Sequence, residues 1–327
     1  MTALTRRRTL SLGALALAGS LALSACGFSG SDSSSASGGD AASARTRTVK
    51  TVMGDVEVPV DPQRVVVLDT GELDSALSLG VRPVGATHSA TEKGFPTYLP
   101  AEKTKGIEVV GEIANPNLET VASLKPDLIL TSKVRDGDRY DQLSAIAPTV
   151  MTESTGSAWK QNFQLHAQAL GKQAEAKKVL TAYDTHVAEV TEALGGKAKA
   201  AATEVNFVRF VEGADIRIYG KQNYIGSILA DLGLGRPAIT DKAKDGFSYD
   251  VSPEKIDLAD ADVIFTSTYG SPEKAGTTKT LNSGLWKGLK ASKAGKVFQV
   301  DDRLWIAGIG YTAADKILDE LQADMTN

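Results

Sequence analysis

The sequence predicts an α/β protein of two pseudo-symmetric lobes with largely parallel sheets, joined by one long helix. Three observations carry that expectation. Short β-branched runs alternate with amphipathic stretches in both halves of the chain. One long helical pattern, 173–194, lies between them, with Val179, Leu180, Tyr183, Val187, Val190 and Leu194 on one stripe. At 1.5 Å per residue it is roughly 33 Å long. Finally, one helix–strand unit occurs once on each side of that helix.

Taken in order, residues 1–25 read as an export signal. Arg6-Arg7-Arg8 precedes an apolar run, 10–23, too short to span a bilayer well. Leu23-Ser24-Ala25-Cys26 follows and resembles a bacterial lipobox, with Cys26, the single cysteine, as the lipid attachment point. The triple arginine fits a Tat or a Sec lipoprotein signal. Loss of three arginines and no acid takes the net charge from −4 to −7. Residues 26–47 are mostly Gly, Ser, Ala and Asp, a composition that cannot bury a core and suits a flexible tether.

The first lobe is expected over 48–158. A hairpin is predicted at 48–60 with its turn at Gly54-Asp55, then strands at 64–68, 83–86, 127–131 and 149–150. Helices are predicted at 72–79, 117–124 and 140–146. A linking helical segment, 159–196, contains the long helix, closed by Gly195-Gly196. The second lobe, 197–327, carries strand patterns at 204–210, 216–219, 262–266 and 297–300, with helices at 224–232 and 313–321.

The repeat aligns 117–132, NLETVASLKPDLILTS, on 252–267, SPEKIDLADADVIFTS, without a gap. Glu119 falls on Glu254, Asp127 on Asp262 and Thr131-Ser132 on Thr266-Ser267. Ligands of open parallel sheets sit beyond the carboxyl ends of the strands. The segments after the repeated strands, 133–135 and 268–270, are therefore placed on opposite walls of one cleft.

Composition narrows the function. An acidic chain with no basic run beyond its first residues carries no nucleic-acid footprint. One cysteine allows no internal disulfide and no CxxC site. His88, His166 and His186 are scattered over different elements and are expected in ordinary surface or core roles, not as a metal site. Gly308-Ile-Gly-Tyr-Thr-Ala313 fits G-x-G-x-x-A, but no further strand follows to complete a dinucleotide-binding unit. No Walker A, G-x-S-x-G or H-E-x-x-H pattern is present. No enzyme activity, cofactor or metal is expected.

Four segments, VGEIANPNLETVASLKPDLILTS, DQLSAIAPTV, IRIYGKQNYIGSILADLGLGRP and VFQVDDRLWIAGIGYTAADKILDEL, resemble the iron-siderophore substrate-binding proteins of ABC importers. The resemblance covers essentially all of the chain from about residue 48. It implies two lobes bridged by one long helix, a ferric siderophore complex as ligand in a shallow cleft, and only small closure on binding. It also implies a glutamate on each lobe for docking to the permease subunits, at Glu119 and Glu254; the first-turn position equally suits the helix dipole. With the lipobox, it implies a monomer held by its lipid on the outer face of the cytoplasmic membrane of a Gram-positive bacterium. Arg135, Arg209 and Trp305 are the first candidates for the ligand, followed by Tyr269, Phe247 and Tyr249. Arginine can hydrogen-bond the oxygens around the metal, and an aromatic face packs hydrocarbon arms. Trp159 and Trp286 read as packing residues. A hydroxamate complex, neutral or weakly cationic, suits an acidic protein better than a triply anionic catecholate. Haem or cobalamin binding on the same fold is the alternative, with Tyr269 the candidate axial ligand; an extracytoplasmic enzyme is the more distant one.

Overall fold

The computed structural model describes residues 45–90 and 94–326. The expected signal, Cys26 and all but the last residues of the tether lie outside the described residues. Among the described residues no helix is long and apolar enough to cross a membrane.

The chain opens with an antiparallel hairpin, β1 (Thr46–Thr51) and β2 (Gly54–Pro59). Thr51 pairs with Gly54, so the turn is Val52-Met53 and not Gly54-Asp55 as the sequence suggested. The first lobe then runs β3 (Val65–Val67), α1 (Thr70–Ser78), β4 (Gly85–His88), β5 (Glu108–Glu112) and β6 (Asn115–Pro116). It continues with α2 (Leu118–Ser123), β7 (Leu128–Ser132), α3 (Lys133–Asp136), α4 (Tyr140–Ile146) and β8 (Thr149–Thr152). Its sheet has the order β6-β5-β4-β3-β7-β8, parallel except for β6. Val65–Val67 and Leu128–Ser132 are buried throughout, as strands covered on both faces must be.

Two helices follow, α5 (Trp159–Leu170) and α6 (Gln173–Ala193). Gly171, at φ 69°, turns the chain between them, and a Cβ there would meet the Arg47 guanidinium at 2.8 Å. The second lobe contains β9 (Val205–Val211), β10 (Ile216–Tyr219), α7 (Tyr224–Asp231), β11 (Ser248–Val251), β12 (Val263–Tyr269) and β13 (Val297–Gln299). The chain closes with α8 (Asp302–Trp305) and α9 (Tyr311–Thr326). Its sheet order is β11-β10-β9-β12-β13, parallel over β9-β12-β13 and antiparallel over β11-β10-β9.

The repeat is physical. β7 lies between β3 and β8, and β12 between β9 and β13, the same place in each sheet. The aligned aspartates do one job: Asp127 accepts from the backbone N–H groups of Gln63 and Arg64 at 2.7 and 2.9 Å, and Asp262 from that of Glu204 at 2.9 Å. Each carboxylate thereby clamps the entry of the neighbouring strand.

The α5–α6 pair is bound to the second lobe by an aromatic cluster. Trp159 meets Tyr183, Tyr224 and Tyr311 at ring-centroid distances of 5.7, 5.2 and 4.5 Å. Trp159 Nε1 donates to Ser227 Oγ at 2.8 Å, while the Tyr183 hydroxyl donates to Asp231 at 2.6 Å. One continuous core includes Val65 and Leu128 from the first sheet, Tyr183 and Val190 from α6, and Phe207 and Phe265 from the second sheet. The stripe of α6 is therefore a seam within the core. Its buried members are Ala176, Tyr183, Val190 and Thr191, with Val179, Leu180 and Val187 half-covered.

Tyr183→Phe removes the hydroxyl from Asp231 and keeps the ring cluster. Its unfolding free energy in urea should fall by about 1–2 kcal/mol, with Lys160 still paired to Asp231. An unchanged midpoint would mean that the hydrogen bond adds nothing to the junction.

Candidate functional site

The carboxyl ends of the parallel strands supply the cleft, as open α/β sheets dictate. Asp69 follows β3, Arg135 follows β7, Arg209 lies near the end of β9, Tyr269 ends β12 and Asp302 follows β13.

On the first-lobe wall, Arg135 Nε donates to Asp69 Oδ2 at 2.7 Å. The other oxygen of Asp69 accepts the Thr70 N–H at 2.7 Å and so caps α1. Asp136, fully buried, accepts from the Thr131 hydroxyl at 2.5 Å and lies 3.4 Å from Arg139 Nη1. Beneath them Glu72 is sealed in the core, 3.7 Å from His166 Nε2. Burial, reinforced by the nearby Asp69 charge, pushes the Glu72 carboxyl up to about 8, so it is protonated at neutral pH. Burial alone pushes His166 down to about 3, and its Nδ1 meets Ser75 Oγ at 3.0 Å. Both groups are neutral packing, which places His166 in the core, one of the two ordinary roles, surface or core, expected for the histidines. His186 is a surface pair with Asp315 and Asp319 on α9, at 3.1 and 3.3 Å. Among the described residues no cluster of side chains is arranged to hold a metal ion.

On the second-lobe wall, Arg209 donates from Nε and Nη2 to the two oxygens of Asp302 at 2.7 and 2.6 Å. Such a fork-to-fork pair fixes the guanidinium plane. Asp302 also accepts the Ser267 hydroxyl at 2.7 Å, and Arg209 Nη1 donates to the Tyr219 hydroxyl at 3.3 Å. The Tyr269 ring covers the guanidinium face at 5.0 Å. Arg303, at the cleft rim, pairs with Asp301 at 2.8 Å.

Among the described residues, two hollows large enough to matter here lie between the walls. The larger, about 590 Å³, is bounded by Phe95 and Thr97 of the first lobe and by Thr268, Tyr269, Asp302 and Arg303 of the second. A smaller one, about 190 Å³, is bounded by Arg135, Thr155, Arg209, Phe247, Trp305 and Ile309. The structure thus brings Arg135, Arg209, Phe247 and Trp305 to one hollow and Tyr269 to its neighbour. Tyr249 borders neither; it pairs with Ile218 in the edge strand β11 and packs on the second-lobe core. Trp305 differs from expectation too. It is 0% exposed, with its ring stacked on Phe207 and Phe265 and its N–H donated to Glu320 at 2.6 Å. It forms floor, and offers no free aromatic face in a loop.

The sequence did not single out Asp69, Asp302, Thr97 or Thr155. Asp69 and Asp302 were within reach of the strand-end rule, since Asp69 directly follows a β-branched run and Asp302 comes one residue later, after Val300-Asp301. Glu119 and Glu254 are both exposed in first helical turns, away from these hollows. The Glu254 carboxyl is held below the usual range by its own backbone N–H and the Ser252 hydroxyl.

Fold and cleft define a two-lobed ligand-binding protein with a bridging helix. The Periplasmic binding protein family matches residues 65–304, and the chain belongs to that family. It is similar to "Probable siderophore-binding lipoprotein YfiY" of Bacillus subtilis, 39% identical over 312 residues covering 92% of this chain and 93% of that protein. It is 32% identical to "Iron(3+)-hydroxamate-binding protein FhuD" of the same organism, covering 93% of this chain and 91% of that one. The crystal structure of Staphylococcus aureus SirA complexed with staphyloferrin B superposes with a TM-score of 0.77 at 37% identity, over 85% of this chain and 98% of that one.

Because Glu72 is protonated when buried and ionised when unfolded, the folded state binds the extra proton between the ordinary glutamate range and about pH 8. Its contribution to stability therefore falls as pH rises through that window. Glu72→Gln should raise the melting temperature at about pH 8 by more than it does at about pH 5. An equal shift at both pH values would mean that Glu72 is not buried as the acid.

Proposed function

We propose that the chain captures a ferric siderophore in the inter-lobe cleft and delivers it to the permease of an ABC importer. It does so from the outer face of the cytoplasmic membrane, held by a lipid on Cys26. The observation that carries the ligand class is charge pairing: Arg135, Arg209 and Arg303 each face an aspartate, Asp69, Asp302 and Asp301. Such a cleft is close to electrically neutral and lined by aromatic and aliphatic side chains. It suits a neutral or weakly charged ferric complex, and the hydroxamate class fits. A triply anionic catecholate would need the arginines released from their partners, at a cost in buried, unpaired carboxylates. The similarity to proteins named for siderophore binding supports a ferric siderophore as the ligand, and the hydroxamate choice rests on the charge pairing.

Arg135, Arg209 and Phe247 then contact the ligand, with Trp305 beneath them and Tyr269 at the wall. Glu119 and Glu254 are exposed, occupy equivalent places in the two copies of the repeat, and serve as the permease contacts.

Ferric hydroxamates should quench the tryptophan emission of the mature protein saturably, with the iron-free chelators far weaker. A flat response to every hydroxamate beside a saturable one to a ferric triscatecholate would transfer the ligand to that class. Saturation by haemin alone would select the haem alternative.

The double variant Glu119→Ala/Glu254→Ala should keep the affinity for the ferric ligand and lose most cellular uptake. Uptake at the unsubstituted rate would remove both residues from the docking role.

A further inference from the structure

The cleft has two chambers, and the wall between them consists of side chains. Arg209, Asp302 and Tyr269 form it: Asp302 and Tyr269 border the larger chamber, and Arg209 borders the smaller. We infer that the ligand occupies both chambers at once, its iron-bearing body in the larger and one extended arm in the smaller, with the Tyr269 ring as the part of the wall that turns aside. The inference rests on the siderophore function proposed above and narrows it to ferric complexes with a free, linear arm.

The volumes argue for this division. A hollow of about 590 Å³ lies within the range that holds a whole small ligand, roughly 300–1,000 Å³, whereas one of about 190 Å³ falls below it. The smaller chamber is therefore an annex. Its lining fits an arm, since Phe247, Ile306 and Ile309 give apolar walls for methylenes. The Thr155 hydroxyl provides a polar group that can meet the polar end of such an arm. The larger chamber presents Thr97, Thr268, Asp301 and Arg303 beside Phe95 and Tyr269.

The wall has a fixed part and a part that can turn. Asp302 is held by two bonds from Arg209 and one from Ser267, and Arg209 is further tied to Tyr219. Tyr269 has its backbone locked in the β9–β12 ladder and accepts from Glu212 N–H at 3.0 Å. Its ring, 38% exposed, stands outside the core and can change rotamer without breaking that ladder. Turning it joins the chambers while the ion pair stays whole.

Calorimetric titration of the mature protein with linear ferrioxamine B and macrocyclic ferrioxamine E tests the inference. Thr97→Trp fills the larger chamber and Thr155→Trp the smaller. Both variants should weaken the linear complex by about fivefold or more, an amount well resolved by titration. For the macrocycle, which has no free arm, Thr155→Trp should have less than that effect. Phe247→Ala empties the annex instead of filling it and should also weaken the linear complex more than the macrocycle, which keeps the test decisive if Thr155→Trp fails to fold. A loss below about fivefold for the linear complex in either tryptophan variant, or equal losses for both complexes at the annex, overturns two-chamber occupancy. If the unsubstituted protein takes up neither these nor any other ferric siderophore, the proposed function itself fails, and this inference with it.

Discussion

Both lobes meet at one glycine. Gly310, at φ 145°, precedes α9, and a Cβ there would lie 2.3 Å from the Asp74 carboxyl. The absence of a side chain lets Asp74, from α1 of the first lobe, accept the N–H groups of Thr312 and Ala313 at 3.1 and 3.2 Å. From the second lobe, the Tyr224 hydroxyl donates to the Gly310 carbonyl at 2.6 Å. A first-lobe carboxylate thus supplies the N-terminal cap of the last helix, and a second-lobe phenol holds the same turn. Burial pushes Asp74 up to about 6 although its hydrogen bonds favour the charged form. The junction is therefore sealed as well as bonded. This also accounts for Gly308-Ile-Gly-Tyr-Thr-Ala313: the site where a dinucleotide phosphate would sit is filled by the protein's own carboxylate.

From that junction follows the character of the cleft. The core runs without interruption from the first sheet through α6 to the second. Opening the lobes widely would expose that core, so the low-cost adjustments are side-chain rotations and small tilts. Under the proposed function, a cleft that closes little needs its recognition groups in place before the ligand arrives. The aspartate partners of Arg135 and Arg209 meet that need, because a paired guanidinium is both positioned and partly neutralised. Asp69 adds a second link, since the residue that aims Arg135 also caps α1, the helix that carries Asp74.

Periodicity made the scaffold readable where one face of an element dominates. The α6 stripe and the helix at Tyr140–Ile146 stand where the pattern placed them, because each buries one coherent face. The hairpin turn moved to Val52-Met53 because cross-strand pairing fixed the register, and the glycine instead opens β2. The strand at Ser248–Val251 carried no signal, since an edge strand buries little of itself. It extends the antiparallel half of the second sheet begun by β9 and β10, and takes Tyr249 away from the cleft. Arg135 and Arg209 were readable from their positions at strand ends. Their aspartate partners were harder, because Asp69 and Asp302 join them from sixty or more residues away. Trp305 misled for a related reason: a loop position does not reveal that Phe207 and Phe265 close over the ring.

The repeat explains how one unit produces a chemically uneven cleft. Asp127 and Asp262 keep the same clamp on the neighbouring strand, and the Thr-Ser pairs ending the two strand patterns are buried alike. Those constraints belong to the sheet and apply equally to both copies. Beyond Ser132 and Ser267 the constraints end, and the copies diverge. After Ser132 the chain turns at once into α3, which lifts Arg135 toward Asp69. After Ser267 the strand continues to Tyr269, which places an aromatic ring over Arg209. Two residues of extra strand separate a wall that offers a cation from a wall that offers a covered cation and an aromatic face. Symmetry in the scaffold sets the width of the cleft, and asymmetry just past the strand ends sets what it can hold.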